Sequence, residues 1–320
     1  MPSDRSLGAD DPAHRSIRIS RVLLDEENAA STDALRRCAV CDSPMRKTRH
    51  VWCFRCPTCG FLASTLVPHI ADGAATDAVD ETRRQGALMR LRKRNFERIL
   101  DALDRHAGAG RRELLEVGCA HGWFLEAAAR RGYSVHGIEP DAQSAAVAMS
   151  RGYDVKVGFF PGALDDDRGY DTIVFNDVFE HLSDVRSATA LCRAKLRPGG
   201  LLLINLPNSN GALFRIASAV DRLGISGPYE RLWQKGFPSP HLSYFNPDAL
   251  TRLVVSHGFA EVHRERLASV EVRGLWQRVR YDRNAGIAGS LVVWTAVTLA
   301  NPLLKVLPGD IALQIFRASA

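Results

Sequence analysis

The sequence predicts an α/β protein: a doubly wound, mainly parallel sheet preceded by a small cysteine-rich module. Three observations carry this. Residues 113–141, ELLEVGCAHGWFLEAAARRGYSVHGIEPD, read as a strand, a tight glycine turn, a helix and a second strand ending in an acid. Downstream, YDTIVFN and GGLLLINLP are strand-length apolar runs separated by a helical stretch, and GDIALQIF reads as the sheet's last strand. Ahead of them stand two Cys-x-x-Cys pairs, Cys38–Cys41 and Cys56–Cys59.

Composition sets the bounds. The 320 residues suffice for one large domain or two modest ones. A hydrophobic share of 46% with 24% charged residues is that of a chain able to bury a core. A net charge of +6 permits contact with nucleic acid or anionic membrane without requiring it. The opening stretch MPSDRSLGADDPAHRS has no apolar signal segment, and residues 1–33 read as a disordered tail. Seven cysteines without such a signal point to a reducing, cytoplasmic compartment, where metal binding is a commoner use than disulfides.

In chain order, residues 34–70 come first. The two Cys-x-x-Cys knuckles are fourteen residues apart, a spacing that can place four thiolates around one structural zinc ion. The intervening TRHVWCFR reads as strand, and Gly60 follows the last cysteine where a knuckle turn needs left-handed backbone. Too small for a core of its own, this zinc ribbon would draw its stability from the metal. Cys53-x-x-Cys56 offers a competing knuckle, and Cys56 with Cys59 is preferred because that pair precedes the glycine. An iron–sulfur cluster is a lesser alternative, and a redox dithiol a weaker one. Residues 71–108 then read as a helical linker with an apolar stripe of Leu88, Leu91, Phe96, Ile99, Leu100 and Leu103. Its Arg90, Arg92, Lys93, Arg94 and Arg98 are either a solvated face or contacts for phosphates.

The loop at Gly118–Gly122 raises the question of its ligand. A dinucleotide turn needs G-x-G-x-x-G, so that backbone can approach a pyrophosphate at a helix N-terminus. Here Ala120 stands between Gly118 and Gly122, and the last glycine falls one residue early. Glu116, two residues ahead of the loop, would repel a pyrophosphate and suit a cationic ligand. Glu139 is placed to accept from ribose hydroxyls. S-adenosylmethionine, with adenosine, ammonium and sulfonium but no phosphate, meets these demands. The alternative is an ordinary turn of this type serving an unrelated ligand.

LLEVGCAHGWFL together with HGIEPD resembles the first two motifs of the class I S-adenosylmethionine-dependent methyltransferases, with Ala120 in place of the middle glycine. The Asn176–His181 run and the LRPGG run resemble the same class, over about 109–265. A CxxC…CxxCG ribbon ahead of such a core resembles bacterial methyltransferases acting on sugars and other small molecules. The resemblance implies a Rossmann-like, seven-stranded doubly wound sheet with an antiparallel last strand over 109–320, with residues 71–108 covering the cofactor. It also implies site roles. Glu116, Gly118, Ala120 and Gly122 would shape the methionine end, Glu139 would hold the ribose, and Phe159 or Phe160 would border the adenine. Asn176 and Asp177 would line the methyl-transfer side.

The remaining elements follow. DAQSAAVAMSRG reads as helix, DVKVGFF as the third strand, Thr172–Phe175 as the fourth, and the fifth strand follows a Pro-Gly-Gly turn. Residues 208–240 are long for a connection and read as a lid, with Phe214, Trp233 and Phe237 as apolar walls. HLSYF then places His241 at the mouth of the site, as the catalytic base or as a histidine that caps the lid. Asp177, Glu180 and His181 resemble a D/E-x-x-E-H element that holds magnesium in quinone-biosynthesis O-methyltransferases. A metal-free account with His241 as base, and Asp177 and His181 beside it, is preferred. A second insertion spans 267–308. Its residues 284–304 carry no charge, and the return of GDIALQIF to the sheet favours packing on the core or peripheral contact with a bilayer over crossing one.

The expected function is methyl transfer, as O-methylation of a small-molecule, sugar or lipid-linked acceptor. Two rivals stand. An RNA methyltransferase would use the ribbon to recognise RNA, but the basic helix lacks interleaved aromatics for base stacking. A non-catalytic adaptor would bind the cofactor without turnover.

Overall fold

The computed structural model describes residues 37–69 and 81–319, apart from 109, 111, 165, 166 and most of 268–308. Apolar runs of strand length become the centre of a seven-stranded sheet. Strands β4 (Glu113–Val117), β5 (Ser134–Glu139), β6 (Asp154–Val157), β7 (Tyr170–Asn176) and β8 (Leu196–Pro207) run parallel. Strand β11 (Ile311–Ala318) enters antiparallel between β8 and β10 (Phe259–Leu267), giving the order β10-β11-β8-β7-β4-β5-β6. Every residue of β7 but the last is buried, as expected of a strand covered on both faces.

Helices close the two faces. Helix α1 (Glu81–His106), α2 (Trp123–Arg130), α3 (Ala142–Ser150), α4 (Val185–Lys195) and α7 (Pro247–Val255) flank the sheet. The predicted stripe on α1 is buried from Leu91 to Leu103 and packs with Leu114, Phe124, Leu203 and Leu313. Its basic residues divide. Lys93 and Arg94 are exposed, whereas Arg98 binds Glu265 and the Arg266 carbonyl. Asp141 caps α3 through the Ser144 N–H, Asp184 caps α4 through Arg186 and Ser187, and Asn246 caps α7 through Ala249.

Two local expectations need correcting. Residues 48–55 are not one strand. Strands β1 (Arg46–Lys47) and β2 (Cys53–Arg55) pair as a hairpin, and the chain turns through 48–52, closed by the Cys53 N–H donating to the His50 carbonyl. The Pro-Gly-Gly run is not a turn outside the sheet. It lies inside β8, where left-handed Gly199 absorbs a shift of register against β7.

The ribbon does not stand apart. Strand β3 (Leu62–Ser64) pairs with β2 on one side and with β9 (Ser243–Tyr244) on the other, so a late segment completes the four-stranded sheet. Cys38, Val40, Phe61 and Ala63 share a buried cluster with Phe175, Phe179 and Phe245. Contacts with the larger domain therefore supply part of the core that so small a module lacks. Residues 208–240 contain α5 (Ala212–Arg222) and α6 (Gly227–Leu232). The tail 1–33, the uncharged run 284–304 and the insertion 267–308 lie wholly or largely outside the described residues. Among the described residues no helix is long and apolar enough to cross a membrane.

Candidate active site

The parallel strands end at one edge, where ligands bind in open α/β sheets. There β4 gives way to a loop with three left-handed residues, Gly118 (φ 74°), Ala120 (φ 45°) and Gly122 (φ 75°). Gly118 is required twice over, because a Cβ would lie 2.4 Å from Val178 Cγ2. The β5 carboxylate fastens the loop: Glu139 accepts from the Ala120 N–H at 2.8 Å and from the Asp141 N–H at 2.9 Å. Each oxygen keeps a lone pair for a further donor. Glu116 is 3% exposed, and its Oε2 has no hydrogen-bond partner among the described residues. Burial, then the charge of Glu139, pushes the Glu116 carboxyl well above its ordinary range, while Asn176 and Arg92 oppose the shift. Two adjacent buried acids, one with an orphaned oxygen, fit a cationic ligand better than an anionic one.

Other residues expected at the cofactor are placed unevenly. Phe159 is 58% exposed, whereas Phe160 is buried with its ring edge-on to Phe175 at 5.4 Å. Asn176 ends β7, and Asp177 follows in a left-handed conformation (φ 57°), accepting from Asn205 Nδ2 at 3.2 Å.

A second cluster is built by two separate segments. A turn after β7 carries Glu180 and His181, and the stretch after the 208–240 segment returns with His241. Their ligating atoms all lie within 4.8 Å of one another. Glu180 Oε1 is 3.9 Å from His181 Nε2 and 4.0 Å from His241 Nε2, and the two imidazoles meet edge to face at 4.8 Å. The Nδ1–H of His181 faces the Pro240 carbonyl at 2.9 Å, which leaves Nε2 toward Glu180. Glu180 Oε2 and His241 Nδ1 are buried without partners among the described residues. Burial, and secondarily Asp177, pushes the Glu180 carboxyl well above its usual range. Burial, then His181, holds His241 well below the ordinary imidazole value, so His241 is neutral at neutral pH.

His241 lines a cavity of about 330 Å³ at the end of β8, walled by Phe214, Phe237 and Tyr244, with polar groups from Asn208, Gln234 and Asp310. A larger cavity of about 460 Å³ lies between α1 and α2 and is lined by none of the groups above. Trp233 is fully buried and does not line this cavity. Sequence reading missed Gln234, Tyr244 and Asp310. An aspartate directly after the Pro-Gly that opens the last strand was the available signal for Asp310.

In the ribbon, Cys38, Cys41, Cys56 and Cys59 converge, with Sγ pairs 38–59 and 41–56 each at 3.5 Å and all four within 4.8 Å. A zinc ion with Zn–S bonds of about 2.3 Å needs tetrahedral edges of about 3.8 Å, so the four sulfurs fit one ion. The Cys38 thiol is pulled down to about 5, chiefly by the hydrogen bond from Cys59. Cys53 is elsewhere: its Sγ lies 3.6 Å from the Tyr229 hydroxyl, and burial pushes its thiol up to about 11.

The chain resembles known methyltransferases. Residues 82–264 match the methyltransferase domain family. The ubiquinone biosynthesis O-methyltransferase of Bradyrhizobium sp. (strain ORS 278) is 26% identical over 170 residues, covering 51% of this chain and 63% of that protein. The mitochondrial ubiquinone biosynthesis O-methyltransferase of Mus musculus is 29% identical over 153 residues, 43% of this chain and 41% of that one. The chain thus spans less than two thirds of the length of these relatives. Among solved structures, the Haemonchus contortus phosphoethanolamine N-methyltransferase 2 bound to S-adenosylhomocysteine superposes with a TM-score of 0.51 at 15% identity, covering 70% of this chain and 53% of that one. That likeness is one of fold. With the family match spanning more than half of the residues, the chain belongs to the methyltransferase domain family and is a class I S-adenosylmethionine-dependent methyltransferase.

Proposed function

We propose that this enzyme O-methylates a small-molecule acceptor bound beneath the lid, with His241 receiving the hydroxyl proton. The observation that carries the reading is a neutral, buried imidazole on the wall of the aromatic cavity, whose Nδ1 has no hydrogen-bond partner among the described residues. The Gln234 amide nitrogen donates to His241 Nε2 at 2.9 Å. Turning that amide over would bring its oxygen to accept from Nε2–H and leave the Nδ1 lone pair for the acceptor O–H. S-adenosylmethionine supplies an electrophilic methyl on a sulfonium leaving group. The protein orients the acceptor oxygen, excludes water with the lid and holds the departing proton at His241. The names of the O-methylating relatives support the choice of oxygen and of a small acceptor. Aromatic walls suit a phenol, a sugar face or the head of a lipid-linked molecule.

Cofactor carrying a labelled methyl, incubated with fractionated cell extract, tests the acceptor class. Label in the polar small-molecule or lipid fraction is expected, and label confined to RNA overturns the reading. His241→Ala should lower turnover by about 10²–10⁴-fold with little change in cofactor affinity.

A second reading has a specific observation in its favour. Glu180, His181 and His241 form a two-imidazole, one-carboxylate set with two orphaned atoms, while Asp177 is engaged with Asn205. Such donors suit a divalent transition ion better than magnesium, which prefers oxygen ligands. Activity lost in EDTA with the ribbon metal retained, then restored by a divalent ion, would select this reading over His241 acting alone. In the ribbon, we infer a structural zinc on Cys38, Cys41, Cys56 and Cys59.

A further inference from the structure

Ribbon and lid meet across an aromatic interface that the transfer chemistry does not use. Trp52, in the turn between β1 and β2, packs edge-on to Trp233 with ring centroids 5.5 Å apart. His50 stacks on Tyr229 at 5.2 Å, and its Nε2 lies 2.9 Å from the buried carboxylate of Asp221 at the end of α5. Helix α6 has only six residues, too few to be stable by itself. Its geometry must come from what it packs on, and much of that is ribbon.

The ribbon also reaches the reacting cluster. Ser64 in β3 donates its N–H to the Leu242 carbonyl and its hydroxyl to the His241 carbonyl, both at 2.9 Å. From the other side, the Leu242 N–H donates to the Glu180 carbonyl at 2.9 Å and the His241 N–H to the Trp233 carbonyl at 3.0 Å. The main chain at His241 is therefore suspended between a ribbon strand, a lid helix and the turn that carries Glu180. An imidazole buried with an unpaired nitrogen stays in place only where its backbone is held this firmly.

We propose that Ser64 and Trp52 are positioning residues of the acceptor site, and that the ribbon is its fixed jaw, holding residues 229–242 and the His241 imidazole in register with Glu180. The inference rests on the reading of His241 as the group that faces the acceptor. Trp52→Ala opens a void against Trp233 and Tyr229, and Ser64→Ala removes one hydrogen bond to the His241 carbonyl.

The test uses the full chain and needs no acceptor. Hydrogen exchange is followed in the peptides covering 229–242 and in those covering β4 and β5, and calorimetry reports S-adenosylmethionine binding. In Trp52→Ala, exchange over 229–242 should rise at least about tenfold, as expected for a segment drawn from the low-stability end of the structure. Cofactor affinity should stay within about twofold. Ser64→Ala should do the same more mildly, and Trp52→Phe should restore the wild-type pattern. Unchanged exchange over 229–242 in both alanine variants overturns the proposal. So does faster exchange spread equally over β4 and β5, which would make the ribbon a general stabiliser of the fold. If label from the extract experiment lands in RNA, the proposed acceptor fails while these readouts still report whether the ribbon sets the lid.

Discussion

Glu139 holds the loop through the Ala120 and Asp141 N–H groups, and in the proposed site its remaining lone pairs would accept from the ribose hydroxyls of the cofactor. Glu139→Ala should therefore weaken S-adenosylmethionine binding by about 1–3 kcal/mol by calorimetry, in a protein that still folds. Ala120 holds a backbone angle that L-residues reach at a cost of about 1–2 kcal/mol. Ala120→Gly should release most of that, less the added freedom of glycine in the unfolded chain, and thermal denaturation should show a gain of about 0.5–1 kcal/mol. Residues of this loop were legible in the sequence because they are neighbours along the chain: Glu116, Gly118 and Gly122 lie within seven positions. The cluster of Glu180, His181 and His241 was legible only in pieces. Sixty residues separate its halves, and nothing in local periodicity says that a lid histidine returns to meet a turn after β7.

At the scale of elements, the ribbon was readable from cysteine spacing, but its attachment was not. Spacing reports which thiols can share an ion. It carries no information on β9, a two-residue strand without a periodic signature, or on Trp52 finding Trp233. The purified protein should carry about one zinc, lost on Cys38→Ser and on Cys59→Ser by elemental analysis. Cys53→Ser should retain it, since that sulfur faces Tyr229 rather than the other four. Loss of the metal should also loosen residues 229–242, because the strands it pins are those that hold Ser64 and Trp52.

The whole molecule responds to pH through its buried acids. Burial raises the carboxyls of Glu116 and Glu139 above their ordinary value of 4.5, and Glu139 adds to the shift at Glu116. Between that value and the raised one the folded state binds more protons than the unfolded state. Their contribution to stability is therefore full below the unfolded value and lost as pH rises through the folded one. A cationic cofactor favours the ionised forms, so its binding releases protons in this window and its affinity climbs with pH. Differential scanning calorimetry from about pH 5 to about pH 8 should show the stabilisation by S-adenosylmethionine growing with pH, and Glu116→Gln should flatten that growth. Connectivity has a consequence of another kind. Ala63 pairs with Ser243 across 180 residues of chain, so the ribbon cannot complete its sheet until β9, which follows all the parallel strands, has been made. Its cysteines wait, reduced and unshielded, while the central strands assemble. Removing the ribbon as a cassette would leave β9 an open edge beside Phe245, a template for the same segment of another copy. The ribbon, though made before the central strands, is thus completed after them, and zinc supplied during synthesis, rather than afterwards, should decide the yield of soluble protein.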